Sequence, residues 1–257
     1  MSKFIACALA FLWLVPCLVS AQNSTTAAWP YQTYKSRPDL QPPDLKITRN
    51  GQPAPGYIFF CPLGQVHQGS PLIMTDDNEL IYHGQTGNVG FNFGVQTYKG
   101  EQVLVYWNGT LFPEPAGRGY GNVTIMNNSY EIIANVSLHG NFVSTEGPTF
   151  PSDIDVHEIF ITNRNTVLVT ANNATQFDLT SVGGPSDGWV IDGLVYEIDI
   201  ETNEVLFSWS ALAHVNEIPL TASVYTLGSE GFDGSNRTQA WGYFRKLCLS
   251  QLLYVLD

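Results

Sequence analysis

The chain has 257 residues, of which 13% are charged and 44% hydrophobic, and its 11 Lys and Arg stand against 23 Asp and Glu for a net charge of −12. This length and apolar content support a packed core in one large or two small domains, and the low charge content argues against disorder. The acidity and the lack of a Lys/Arg cluster exclude a nucleic-acid partner, and an anionic substrate would need a local positive site.

The first element is an apolar run from Phe4 to Val19, behind Lys3 and ahead of the small residues Ser20 and Ala21. It is short for a membrane anchor and Pro16 breaks it. It reads as a secretory signal peptide, residues 1–21, cleaved after Ala21, which makes the protein secreted. No later run is long and apolar enough to span a bilayer. Seven N-x-S/T sequons follow, at Asn23, Asn108, Asn122, Asn127, Asn135, Asn173 and Asn236. Behind a leader they predict surface N-glycosylation. Cys7 and Cys17 leave with the leader, and Cys61 and Cys248 could pair. Two cysteines make no disulfide framework, and without CxxC or metal-ligand spacing no metal and no cofactor is expected.

Residues 22–56, rich in Pro, Ser, Thr and Asn, read as an extended lead-in. From Tyr57 strand patterns take over. One hairpin type is an apolar segment, an Asp/Asn turn, then a Glu before a second apolar segment. It occurs as Pro71-LIMTDDNELIYHG, Asn122-VTIMNNSYEIIANV and Val195-YEIDIETNEVLFSW. A second type, Phe93-GVQTYKGEQVLVYWNG and Val156-HEIFITNRNTVLVTA, turns at Lys99-Gly100 and at Asn163 to Asn165. Turn residues of these kinds tolerate positive φ or bond their own backbone. The types alternate, so residues 91–137 and 154–210 form two four-stranded units and 71–84 a leading half-unit. The fold class is therefore all-β, with four-stranded units repeated as in a β-propeller; a β-sandwich is the alternative.

Several segments carry a resemblance: Tyr34-KSRPDLQPPDLKIT, Gly56-YIF, Pro71-LIM, Val95-QTYKGEQVLVYW, Asp155-VHEIFIT, and Asp178-LTSVGGPSDGWVIDGLVYEIDIETNEVLFSWSALAHV. On these the chain resembles the fungal branch of the arylsulfotransferase family over roughly residues 31 to 244. The resemblance implies a six-bladed propeller, of which residues 57–244 would supply about two and a half blades. It also implies sulfuryl transfer from an aryl sulfate to a phenol through a histidine intermediate. Where the family is similar to W-D-Y-F-H-I-N-S, this chain reads Trp241-Gly242-Tyr243-Phe244-Arg245-Lys246. Residues 245–257 therefore read as a divergent tail from truncation or a frame change, and the product as an incomplete, inactive propeller. A non-catalytic secreted propeller that binds a small ligand or carbohydrate is the second reading.

Of five histidines, His157 stands out in Asp155-Val156-His157-Glu158. Strand alternation puts Asp155, His157 and Ile159 on one face and Val156, Glu158 and Phe160 on the other. A carboxylate beside an imidazole fixes its tautomer and leaves the second nitrogen as nucleophile or base. The resemblance gives such a channel-facing histidine the role of sulfuryl acceptor; a structural role is the plainer alternative. Arg37, Lys99, Arg118 and Arg164 are candidates for the sulfuryl oxygens by type alone. The Val182-GGPSDGW stretch lacks the Lys-Ser/Thr of a P-loop, so its glycines read as a tight excursion between strands with Trp189 packed over it. Asp199, Glu201 and Glu204 read as turn residues.

Overall fold

The computed structural model describes residues 30–64, 66–85, 89–112, 117–147 and 149–244. The leader, Asn23, Cys248 and the tail 245–257 lie outside them. The described chain is all-β, with short 3-10 turns at Thr180–Val182 and after the last strand. Strands β1 (Ile58–Phe60), β2 (Leu72–Met74) and β3 (Leu80–His83) form a small antiparallel sheet. Residues 30–57 carry no strand and wrap its turn, where Gln32 Nε2 donates to Asn78 O (2.8 Å) and the Leu45 amide to Asn78 Oδ1 (2.8 Å).

Two four-stranded antiparallel meanders follow. The first runs β4 (Val89–Tyr98), β5 (Glu101–Phe112), β6 (Arg118–Met126), β7 (Ile132–Val136). The second runs β8 (Ile154–Ile161), β9 (Thr166–Phe177), β10 (Gly188–Asp199), β11 (Val205–Ser210). They join through a single pair, Gly121 with Ile154, and the sheet does not close on itself.

Period-two alternation makes the first meander two-sided. Val103, Val105 and Trp107 face the second meander, in one core with Ile154, Val156, Ile159, Val167, Val169 and Leu194. Leu104 and Tyr106 face the small sheet, packing with Ile73, Phe59 and Tyr82. Three layers thus stack, each burying its neighbour's face. Beyond them, the first half of β10 is covered by the segment after β11. Leu179, Val190, Leu220, Trp241 and Tyr243 form a second core there. The Trp241 amide donates to Trp189 O (3.0 Å) and the Ile191 amide to Trp241 O (2.9 Å), so the Trp241-Gly242-Tyr243 stretch docks on the sheet.

Hairpins form at all five expected places, but the turns sort differently from the sequence pattern. Residues 75–79, 127–131 and 162–166 share one geometry, in which the first amide donates to the fifth carbonyl and the fourth amide to the first. The fourth residue is left-handed in each: Asn78, Tyr130 and Asn165. The turn at 162–166 therefore belongs with the first type. In the 127–131 turn the positive φ falls on Tyr130, the fourth position, while Asn127 at the first accepts the Ser129 and Glu131 amides with its side chain. Asn165 also accepts the Lys99 amide (2.6 Å), tying the Lys99-Gly100 turn of one meander to the other. Asn165→Ala is expected to lower stability by about 1–2 kcal/mol, the left-handed penalty for a residue with a Cβ. Asn165→Gly should recover most of it in urea titrations; equal losses would place the effect in the Lys99 contact alone.

Two carboxyls are buried between layers. Burial raises Asp192 above the ordinary carboxylate range, against the Ser210 hydroxyl (2.7 Å) and Leu212 amide (3.0 Å) that pull it back. Burial likewise raises Asp153, which accepts the Gly140 amide (2.9 Å). A folded-state pKa above the unfolded one means that folding favours the protonated form. That contribution is full below the ordinary carboxylate range and is lost as pH rises through the folded value. The melting-temperature difference between wild type and Asp192→Asn should therefore shift in favour of wild type as pH falls from neutral. A difference that ignores pH would remove Asp192 from the linkage.

Candidate functional site

The site is built on an irregularity in β8. Ile154 pairs with Ala171 and Ile159 with Val169, so five steps along β8 oppose two along β9. Residues 155–158 leave the β9 ladder as a wide bulge, a device that re-aims side chains. The expected alternation fails here for that reason: Ile159 joins Val156 in the core and does not share a face with Asp155 and His157. The bulged backbone is held by amide side chains from β4. Asn92 Nδ2 donates to Val156 O (2.7 Å) and Gln96 Nε2 to Ile159 O (3.1 Å), while Gln96 Oε1 accepts the Ile161 amide (2.6 Å). These bonds satisfy the Val156 and Ile159 carbonyls in and beside the bulge.

Asp155 is buried and His157 half exposed, with side-chain exposures of 4% and 51%. Asp155 Oδ2 accepts from His157 Nδ1 at 2.5 Å and from the His157 amide at 3.2 Å. Its Oδ1 accepts the Gly119 amide at 3.3 Å. The carboxylate therefore selects the Nδ1–H form of a neutral imidazole and points Nε2 away from itself. Support comes from below. Trp107, fully buried, donates Nε1–H to Ile154 O (3.0 Å), one residue before the bulge. Its ring lies against Gly109, Gly119 and Gly121, where any added Cβ would come within 2.7–2.8 Å of the indole.

Beside Gly119 lies a second polar cluster. Arg118 is buried, with Nη1 donating to Thr145 Oγ1 (2.5 Å), Glu146 Oε1 at 3.7 Å, and the guanidinium 5.6 Å from the Phe232 ring. Tyr120 donates to Glu146 Oε2 (2.9 Å) and stacks on Phe150 at 4.2 Å. Burial, then the Glu146 carboxylate, pushes the Tyr120 phenol well above its usual range. Of the cationic candidates, Arg118 alone adjoins the Asp155 anchor in the chain. Arg37 pairs with Asp39 (2.7 Å) on the exposed lead-in, Lys99 with Glu201, and Arg164 Nη2 with both oxygens of buried Glu197 (2.8 and 2.7 Å).

The other histidines have structural surroundings. His67 contacts Gln41 and lies beside Tyr31; His83 Nδ1 is 2.7 Å from Gly84 O; His139 is 3.2 Å from Ser137 Oγ; His214 stacks on Trp209. Burial pushes the Cys61 thiol up to about 12, which makes it a poor nucleophile at neutral pH. Residues 178–187 link β9 to β10 through a 3-10 turn, and Trp189 packs with Ala174, Ile191 and Ala240. Asp199 Oδ1 caps its own turn by accepting the Glu201 and Thr202 amides. Among the described residues no group of three or more His, Cys, Asp or Glu could hold a metal ion, and no helix is long and apolar enough to cross a membrane.

Stacked antiparallel meanders with a carboxylate–imidazole pair on a bulged strand define a β-layer protein with a histidine–carboxylate hydrogen bond at the junction of two units. Residues 94–246, more than half of the chain, match the model of the arylsulfotransferase (ASST) family, and the chain belongs to that family. No curated protein and no solved structure gives a match.

Proposed function

We propose, in place of the inactive product that the divergent tail suggests, that the protein transfers a sulfuryl group from an aryl sulfate to a phenol, with His157 as the covalent acceptor. The observation that carries this is the buried Asp155 holding Nδ1 of half-exposed His157 on a bulge within the family-matched region. In the first step the Nε2 lone pair attacks sulfur. The N–S bond forms, the S–O bond to the ring breaks, and the phenolate leaves with the electron pair. The resulting imidazolium keeps its proton on Nδ1, hydrogen-bonded to the Asp155 carboxylate, whose charge stabilises it. In the second step a phenol oxygen attacks sulfur, the N–S pair returns to Nε2, and the phenol's proton passes to the released phenolate or to solvent. The two meanders are, in this reading, adjacent blades of a propeller. The support is their equal strand count, their face-to-face packing and the family's architecture.

The test is to expose the protein to an aryl sulfate without acceptor and map the adduct by peptide mass spectrometry. An acid-labile sulfuryl group on His157, discharged by added phenol, is the expected result. Stoichiometric phenolate release with the group on another residue would overturn the assignment. No release and saturable binding of aryl sulfate or a sugar would favour a binding module.

A further inference from the structure

Six of the seven sequons lie among the described residues, and the fold treats their amides differently. Four are N-x-T, at Asn108, Asn122, Asn173 and Asn236, so the consensus offers no preference between them. Asn108 lies within β5. Its Nδ2 donates to Thr124 Oγ1 (2.7 Å), and that hydroxyl, 1% exposed with its residue, donates to Asn135 Oδ1 (3.0 Å). The three residues make a polar ladder across β5, β6 and β7. Asn122 pairs directly opposite Asn108, and its own sequon threonine is the buried Thr124. At Asn108 the nitrogen that a sugar would take is the one turned into the sheet.

Asn236 is arranged the other way round. It is exposed and caps the 3-10 turn Arg237–Gln239. Its Oδ1 accepts the Thr238 amide (3.0 Å), the Gln239 amide (3.2 Å) and the Thr238 hydroxyl (2.7 Å). Its Nδ2 reaches exposed Ser235 Oγ at 3.2 Å. In N-glycosylation Nδ2 loses one proton and bonds to the anomeric carbon, whose bond to the lipid pyrophosphate of the donor breaks. Oδ1 takes no part, so the cap survives the modification.

We infer that the folded, exported chain carries an N-linked glycan on Asn236 and none on Asn108 or Asn122. Transfer occurs on extended chain, when every sequon is open. Folding then sorts the products: a sugar on Asn108 has to stand in the β5–β6–β7 ladder, while one on Asn236 projects from a surface turn. The readout is mass on a peptide and does not depend on catalysis. The full-length chain, secreted from a eukaryotic host, is treated with peptide-N-glycosidase in heavy-oxygen water and mapped. Heavy-labelled aspartate is expected at 236 and unlabelled asparagine at 108 and 122. Thr238→Ala, which keeps the Asn236 cap, should remove one glycan, Thr238→Ser should keep it, and Thr110→Ala should change nothing. A glycan on Asn108 or Asn122 in folded material, or a recovered chain with Asn236 unmodified, overturns the assignment.

Discussion

His157→Ala is expected to lower kcat for sulfuryl transfer by about 10⁴-fold or more, the scale for a lost nucleophile in a cooperating pair. The ring is half exposed, so stability should move by no more than about 0.5 kcal/mol. Asp155→Asn is the more informative partner. An asparagine oxygen can still accept the Gly119 amide, but its NH₂ faces His157 Nδ1 and donates where Asp155 accepted. That favours the Nε2–H tautomer, which has no lone pair for sulfur. A loss of about 10²–10⁴-fold follows, with aryl sulfate binding largely kept. A merely structural Asp155 would give the opposite pattern, with a lower melting temperature and unchanged turnover per folded molecule. Turnover within twofold of wild type for both variants removes the pair from the mechanism.

The hairpins were legible in the sequence, and the site only in part. Turn chemistry at Lys99-Gly100, Asn78, Asn165 and Asn203 is local, since each residue tolerates positive φ on its own account. Strand alternation in β5, where Val103, Val105 and Trp107 face one core and Leu104 and Tyr106 the other, is equally local. The Asp-x-His spacing brought two side chains together because they are only two residues apart. The bulge was not legible, and with it the wrong face was assigned to Ile159. Extra residues in β8 are defined only against β9, and they persist because Asn92 and Gln96, some 64 residues away, bond the displaced backbone. The same holds for Arg118. Its burial depends on Thr145, Glu146 and Phe232 from distant segments, and no feature of Arg118-Gly119-Tyr120 announces them.

Trp107 should be the most sensitive position for stability. Its ring is fully buried on the three glycines of β5 and β6, and its Nε1–H satisfies Ile154 O where the two meanders join. Trp107→Ala deletes the largest side chain of the shared core, at about 3–5 kcal/mol. It also strands a buried carbonyl, for about 1–3 kcal/mol more. Together these reach the range of a whole domain's stability, about 5–15 kcal/mol, so loss of cooperative unfolding is the expected result. Trp107→Phe separates the two effects. A single ring is kept, so the cost falls to the lost Ile154 hydrogen bond, about 1–3 kcal/mol, plus a smaller term for the space the outer indole atoms vacate over the glycines. Because Ile154 immediately precedes Asp155, this variant should also loosen the Asp155–His157 pair and lower turnover without touching either residue. The check is a urea titration of both variants alongside the His157 ring nitrogen shifts, which report the tautomer directly. A Trp107→Phe protein of wild-type stability with the Nδ1–H form intact would mean that the amides of Asn92 and Gln96 hold the bulge by themselves.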